Sequence, residues 1–178
     1  WKNASEYCEK VLDLDPKNAK AYIGKLMSEL HVCKSAELAE VDLPFDDMSN
    51  YQKAVRFADA GLKETLKGYI DTIKDRNEKS RLEGLYQEAV YKMNSAKSEA
   101  EYRQAEKLFE EIKDWKDSTK LADLCCEKAE ACRKNDIYAR AKQMMVSSSE
   151  QSIVQAASMF SSLSGWKDAE ELAKQCPD

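Results

Sequence analysis

The sequence predicts an all-α protein built from stacked antiparallel helical hairpins. Three observations predict it: a scarcity of chain breakers, a gap-free internal repeat, and apolar residues at helical spacing inside each repeat. Five glycines and three prolines in 178 residues fall well below the roughly 12 % of an average protein. A hairpin-rich β protein needs more turn residues than that. Charged side chains make up 34 % of the chain and apolar ones 43 %, enough for a core under a well-solvated surface.

The repeat is anchored by two Trp-Lys-Asp triplets, Trp115–Asp117 and Trp166–Asp168. A shift of 51 residues superposes 93–125 on 144–176 without gaps. It matches Met93 with Met144, Ser98 with Ser149, Gln104 with Gln155, Ala105 with Ala156, Phe109 with Phe160, Leu121 with Leu172 and Cys125 with Cys176. The retained positions are apolar or helix-capping residues, which is what stacking of repeated units demands.

Within each unit the periodicity is helical. Ser98 and Glu101 have the spacing of a capping box, and Tyr102, Ala105, Leu108, Phe109 and Ile112 follow at helical intervals. The second copy starts after Ser149, carries Ile153, Ala156, Met159, Phe160 and Leu163, and ends at Gly165 as its C′ residue. Asp117 and Asp168 stand where the following helix begins, suited to its positive end. The two tryptophans fall in the tight turns, where each wedges between the helices it joins. Their recurrence in both units favours this packing role over that of exposed partner anchors. The pattern after Asp117 reaches Met145, with a break expected at Asn135-Asp136.

The first part of the chain reads as helices too. A short helix is expected over Ser35–Val41, a loop over Asp42–Ser49, and helices from about Asn50 to Ala60 and from Leu62 to Asn77. Leu62, Leu66, Tyr69, Ile70 and Ile73 share one face of the latter. A separate helix follows, with Leu82, Leu85, Tyr86, Ala89, Val90 and Met93.

At the start, Ala4, Cys8, Val11 and Pro16 lie at offsets 0, 4, 7 and 12, and Asp13–Ala19 forms a turn-like stretch ahead of Tyr22. This spacing resembles the second helix of a tetratricopeptide (TPR) repeat, its terminal proline and the leading aromatic of the next repeat. Pro16 ends a helix and disfavours helix at Asp15. The resemblance covers roughly residues 1–32. It implies a TPR-like α-solenoid, a short right-handed superhelix, whose first helices line a binding face. Tyr22, Lys25 and Glu29 are the candidates on that face, since i, i+3 and i+7 share one side of a helix. The start at Trp1 suggests that the partner helix of this hairpin lies upstream. The expected organisation is TPR-like hairpins over 1–80, with a loop near 42–49, and two related repeats over 81–178, all in one continuous solenoid.

Several function classes are disfavoured. The net charge is −5 and neither half of the chain is basic, whereas nucleic-acid binding needs clustered cations. No apolar run approaches the ~18 residues of a membrane span. The lone histidine, His31, has no acid or nucleophile beside it in sequence, and acid–base catalysis needs an oriented partner. Asp46-Asp47 lacks the spaced oxygens of a calcium loop, and Met144-Met145 reads as core filler. No phosphate loop, nucleophile elbow or zinc-protease motif occurs. The six cysteines form no C-x-x-C pair. Cys125 and Cys132 would lie about 10.5 Å apart along one helix, too far for a shared zinc or a disulfide. They read as small buried side chains in a reducing compartment.

The expectation is therefore a non-enzymatic, cytoplasmic interaction module or scaffold, with no catalytic residue, cofactor or metal. Its partner would be a protein or peptide, not nucleic acid or a membrane. The alternative is a structural spacer or self-association domain of a larger protein.

Overall fold

A computed structural model describes residues 1–146 and 149–176. Among them there are eight α-helices and no strand: α1 (Lys2–Leu14), α2 (Ala19–Leu30), α3 (Ser49–Phe57), α4 (Ala60–Ser95), α5 (Glu99–Glu111), α6 (Ser118–Met145), α7 (Glu150–Ser161) and α8 (Ala169–Gln175). A 3₁₀ helix spans Ser35–Glu40. The chain divides into two compact units, Trp1–Arg81 and Leu82–Asp178.

In the first unit, Pro16 ends α1 and Asn18 caps α2 by accepting from Ala21 N at 3.0 Å, which satisfies one orphan donor of the new helix. The two helices run antiparallel and touch at Gly24. A Cβ there would lie 2.5 Å from Cys8 Sγ, so any larger residue would have to turn the Cys8 side chain away. The core gathers Ile23 and Leu26 of α2, Leu38 of the 3₁₀ helix, Ala54 of α3 and Leu66, Ile70 and Ile73 of α4. Phe45, in the expected loop, is only 1 % exposed and meets Tyr51 edge-on at 5.5 Å. The segment before α3 is thus a plug. Arg76 donates to the carbonyls of Ala39 and Val41, Asn77 to that of Asp42, and Lys74 pairs with Asp46 at 2.6 Å.

The second unit holds two successive cores. Ala89, Ala105, Phe109, Ala122 and Cys125 form one; Ala141, Ala156, Phe160, Leu163, Ala169 and Cys176 form the other. The first is closed by a capped helix start. The capping box at Ser98 is formed, with Glu101 accepting from Lys97 N at 2.7 Å and Ser98 N at 3.1 Å.

Four expectations change. The helix predicted to stop near Asn77 and restart at Leu82 is one 36-residue helix, α4. Residues 78–81 are polar but good helix formers, so a gap in the apolar stripe is not a gap in the helix. Helix α6 likewise runs unbroken through Asn135-Asp136, although Asn and Asp are poorer helix formers. There the apolar face rotates from Ala122 and Cys125, against α5, to Tyr138 and Ala141, against α7; Ala129 to Ala141 is about 120° around the axis. Gly165 is not the C′ residue of α7, which ends at Ser161; it takes φ 71° in the turn before Trp166.

The fourth change concerns register. Ala89 and Ala141, both fully buried, and Tyr86 and Tyr138 are equivalent at a shift of 52, not 51. Met93 therefore corresponds to Met145 and not to Met144. The first module spends one residue more between Met93 and Ser98 than the second does between Met145 and Ser149.

Candidate protein-binding surface

The strongest sequence feature, the Trp-Lys-Asp triplet, builds the same corner twice. In the first, Tyr86 Oη donates to Asp117 at 2.7 Å, and the Tyr86 ring meets Phe109 edge-on at 6.1 Å. Lys116 takes φ 52° and sets its ammonium 4.6 Å from the Tyr86 centroid and 2.6 Å from Glu83. The second corner repeats this. Tyr138 Oη donates to Asp168 at 2.5 Å, Tyr138 meets Phe160 at 5.8 Å, and Lys167, also at φ 52°, lies 4.8 Å from the Tyr138 centroid. A left-handed lysine costs on the order of 1 kcal/mol, offset by this cation–π contact.

Both aspartates stand at N-cap positions, yet neither side chain caps its helix; each accepts from a tyrosine instead. That bond lowers the pKa of Asp168 and raises those of Tyr86 and Tyr138. Both tryptophans are half-buried. Trp115 Nε1 donates to Glu83 at 3.3 Å, whereas Trp166 Nε1 is buried without a partner among the described residues. The Glu83 counterpart is Asn135, whose side chain accepts from Lys167 at 2.6 Å. These corners are packing devices. Sequence inspection found the triplets but missed Tyr86 and Tyr138, because the one-residue register change hides their equivalence.

The three residues selected for a binding face lie on α2 and each has an intramolecular contact. Tyr22 donates to Pro16 O at 3.1 Å and stacks on Phe57 with centroids 5.9 Å apart. Lys25 pairs with Glu9 of α1 at 2.8 Å. Glu29, exposed, accepts from Asn50 of α3 at 2.7 Å. On the other side of α2, a cleft of about 290 Å³ is lined by Ile23, Leu62, Leu66 and Tyr69, with Lys20, Ser35 and Thr65 as its polar groups; none of Tyr22, Lys25 and Glu29 lines it. Its walls come from residues some 40 apart in sequence, so no local pattern signals it.

His31 ends α2 in the left-handed region and stacks on Trp1 at 5.4 Å. The cysteines are all free. Only Cys125 and Cys176 are buried, while Cys33 is exposed, which corrects the expectation of uniformly buried thiols. Burial raises the pKa of Cys125. On the outer side of the first module, Arg103 bridges Glu106 at 2.9 Å and Glu130 at 3.0 Å. Among the described residues no group of three or more His, Cys, Asp or Glu side chains could hold a metal ion, and no helix is long and apolar enough to cross a membrane.

No protein-family model matches the chain, and no curated protein or solved structure matches it either.

Proposed function

We propose that the chain is a non-catalytic protein–protein interaction module of the TPR-like kind, acting in the cytoplasm and presenting helix faces of stacked hairpins to a peptide or protein segment. The observation that carries the reading is the first hairpin. Its helices close at Gly24 against Cys8, turn at Pro16, and set Tyr22, Lys25 and Glu29 on one side of α2 and a mostly apolar cleft on the other. A right-handed superhelical stack of hairpins is part of this proposal, on the strength of the resemblance over residues 1–32. Apolar walls with few polar groups are the usual make-up of a binding cleft, and repeat proteins bind through extended faces.

The test is affinity capture by the full chain from lysate of its source cells, read by mass spectrometry beside a Tyr22→Ala/Lys25→Glu chain. Loss of a specific polypeptide from the variant supports the module and this face. Equal recovery by both chains rejects the face, and recovery of nothing beyond the chain itself rejects the module.

A second reading, self-association, is favoured by one observation: α1 buries none of its residues and exposes Tyr7 and Leu14 by 70 % and 90 %. Concentration-dependent sedimentation abolished by Tyr7→Glu would establish it.

A further inference from the structure

The two modules of the second unit share a backbone plan but not a surface. Helix α5 carries seven charged side chains in thirteen residues, whereas α7 carries one, Glu150, in twelve. Arg103, Glu106 and Lys107 are replaced at equivalent positions by Val154, Ala157 and Ser158. Val154 is 50 % exposed. On the facing helix, the Glu88–Lys92 pair of the first module, 3.5 Å apart, becomes Arg140 and Met144. Where the first module has a solvated charge network, the second has a groove of about 460 Å³ lined by Arg140, Met144, Gln155, Ser158 and Met159.

Arg140 is exposed and, among the described residues, has no carboxylate, carbonyl or aromatic ring as partner. Every other arginine has one: Arg56 covers Phe57, and Arg76, Arg81, Arg103 and Arg133 are hydrogen-bonded. We propose that the α6–α7 groove is a docking site for a partner polypeptide segment that presents apolar side chains to Met144 and Met159 and a carboxylate to Arg140. The proposal rests on the interaction-module reading and adds a surface distinct from the α2 face.

The chemistry selects this occupant. Flexible, polarizable methionines adapt to varied apolar side chains, and one unpaired guanidinium matches one carboxylate in a bidentate geometry. A nucleic acid would require several clustered cations, and a membrane surface a Lys/Arg-rich polar face with bulky apolar residues opposite; α7 offers neither. A second copy in two-fold contact brings the same patch to itself. It would set Arg140 against a lining that holds no acid.

The test is selection from a phage-displayed library of random 12-residue peptides on the full chain, followed by titration of the winners against Arg140→Glu and Met144→Lys. The second substitution installs the first module's residue, and circular dichroism checks that both variants melt as the parent does. The expected winners combine apolar residues with Asp or Glu, bind Arg140→Glu at least tenfold more weakly, and regain binding to it when their acid is changed to Lys. Winners indifferent to both substitutions overturn the groove and leave the module standing. Failure to enrich any peptide overturns both. Sedimentation showing a dimer that Arg140→Glu dissolves overturns the choice of occupant.

Discussion

At the scale of single residues, the duplicated module supplies its own controls. Ser118 is fully buried at the start of α6 and its Oγ has no partner; the equivalent residue of the second module is Ala169, also fully buried. An unsatisfied buried hydroxyl costs about 1–3 kcal/mol, so Ser118→Ala should stabilise the chain by about 1 kcal/mol in urea unfolding. The converse holds at Trp166, whose Nε1 lacks the carboxylate that Glu83 gives Trp115. Asn135→Glu should supply it, for a gain of about 1 kcal/mol read in the same way. At Gly24 the sign reverses. Ala places a methyl 2.5 Å from Cys8 Sγ, and turning that side chain out of its preferred rotamer costs about 0.5–1.5 kcal/mol. Cys8→Ala should recover part of that loss in the double variant, the non-additivity expected of residues in contact.

At the scale of elements, the two long helices show what a sequence does and does not display. Short amphipathic helices such as α5 and α7 were legible to within a residue or two, because one face packs against one core and Ser98 or Ser149 marks the start. In α4 and α6 the apolar stripe serves two cores in turn, so their periodicity falters near residues 78–81 and 135–136 while the backbone continues. Phe45 was illegible for the opposite reason: apart from Tyr51, the core it joins is built mainly from α2 and α4 residues some 20 or more positions away, so a buried plug reads as a loop. Continuity gives α4 a testable property. Gly68 and Gly84 lie inside it, and a Cβ at either meets nothing within 4 Å. Gly68→Ala and Gly84→Ala should each stabilise by about 0.5–1 kcal/mol, seen as a higher urea midpoint. Of the candidate site, Tyr22, Lys25 and Glu29 were legible as one helix face. Their contacts to Phe57, Glu9 and Asn50 were not, since side-chain pairing across helices leaves no local pattern.

At the scale of the molecule, carboxylates tie elements together in both units. Lys74 lowers the pKa of Asp46, Lys116 that of Glu83, the Lys97 amide that of Glu101 and Tyr138 that of Asp168. Each binds its proton less tightly folded than unfolded. Their stabilisation is therefore present above the unfolded values of 3.8 for Asp and 4.5 for Glu and is lost as pH falls through the depressed folded values. The melting temperature should drop as pH falls below about 4.5, and Glu101→Gln should flatten that limb. Tyr86 and Tyr138 are raised above 10.0, so their contribution is full below pH 10 and declines as pH rises through the folded values.

The same scale separates what holds the protein together from what it is proposed to offer to others: the Trp-Lys-Asp corners pack, while the faces around Tyr22 and Arg140 are the proposed binding surfaces. The measurement that tests this division is recovery of the captured polypeptide per folded molecule, with melting temperature, for three chains beside the parent. They are Trp115→Ala/Trp166→Ala, Tyr22→Ala/Lys25→Glu and Arg140→Glu. The tryptophan variant should melt lower, having lost about 2 kcal/mol of stability per site for a half-buried Trp, with recovery within twofold of the parent. At least one face variant should melt as the parent does and lose more than tenfold in recovery. The opposite pattern, recovery lost at the corners without loss of stability and kept in both face variants, would contradict the account.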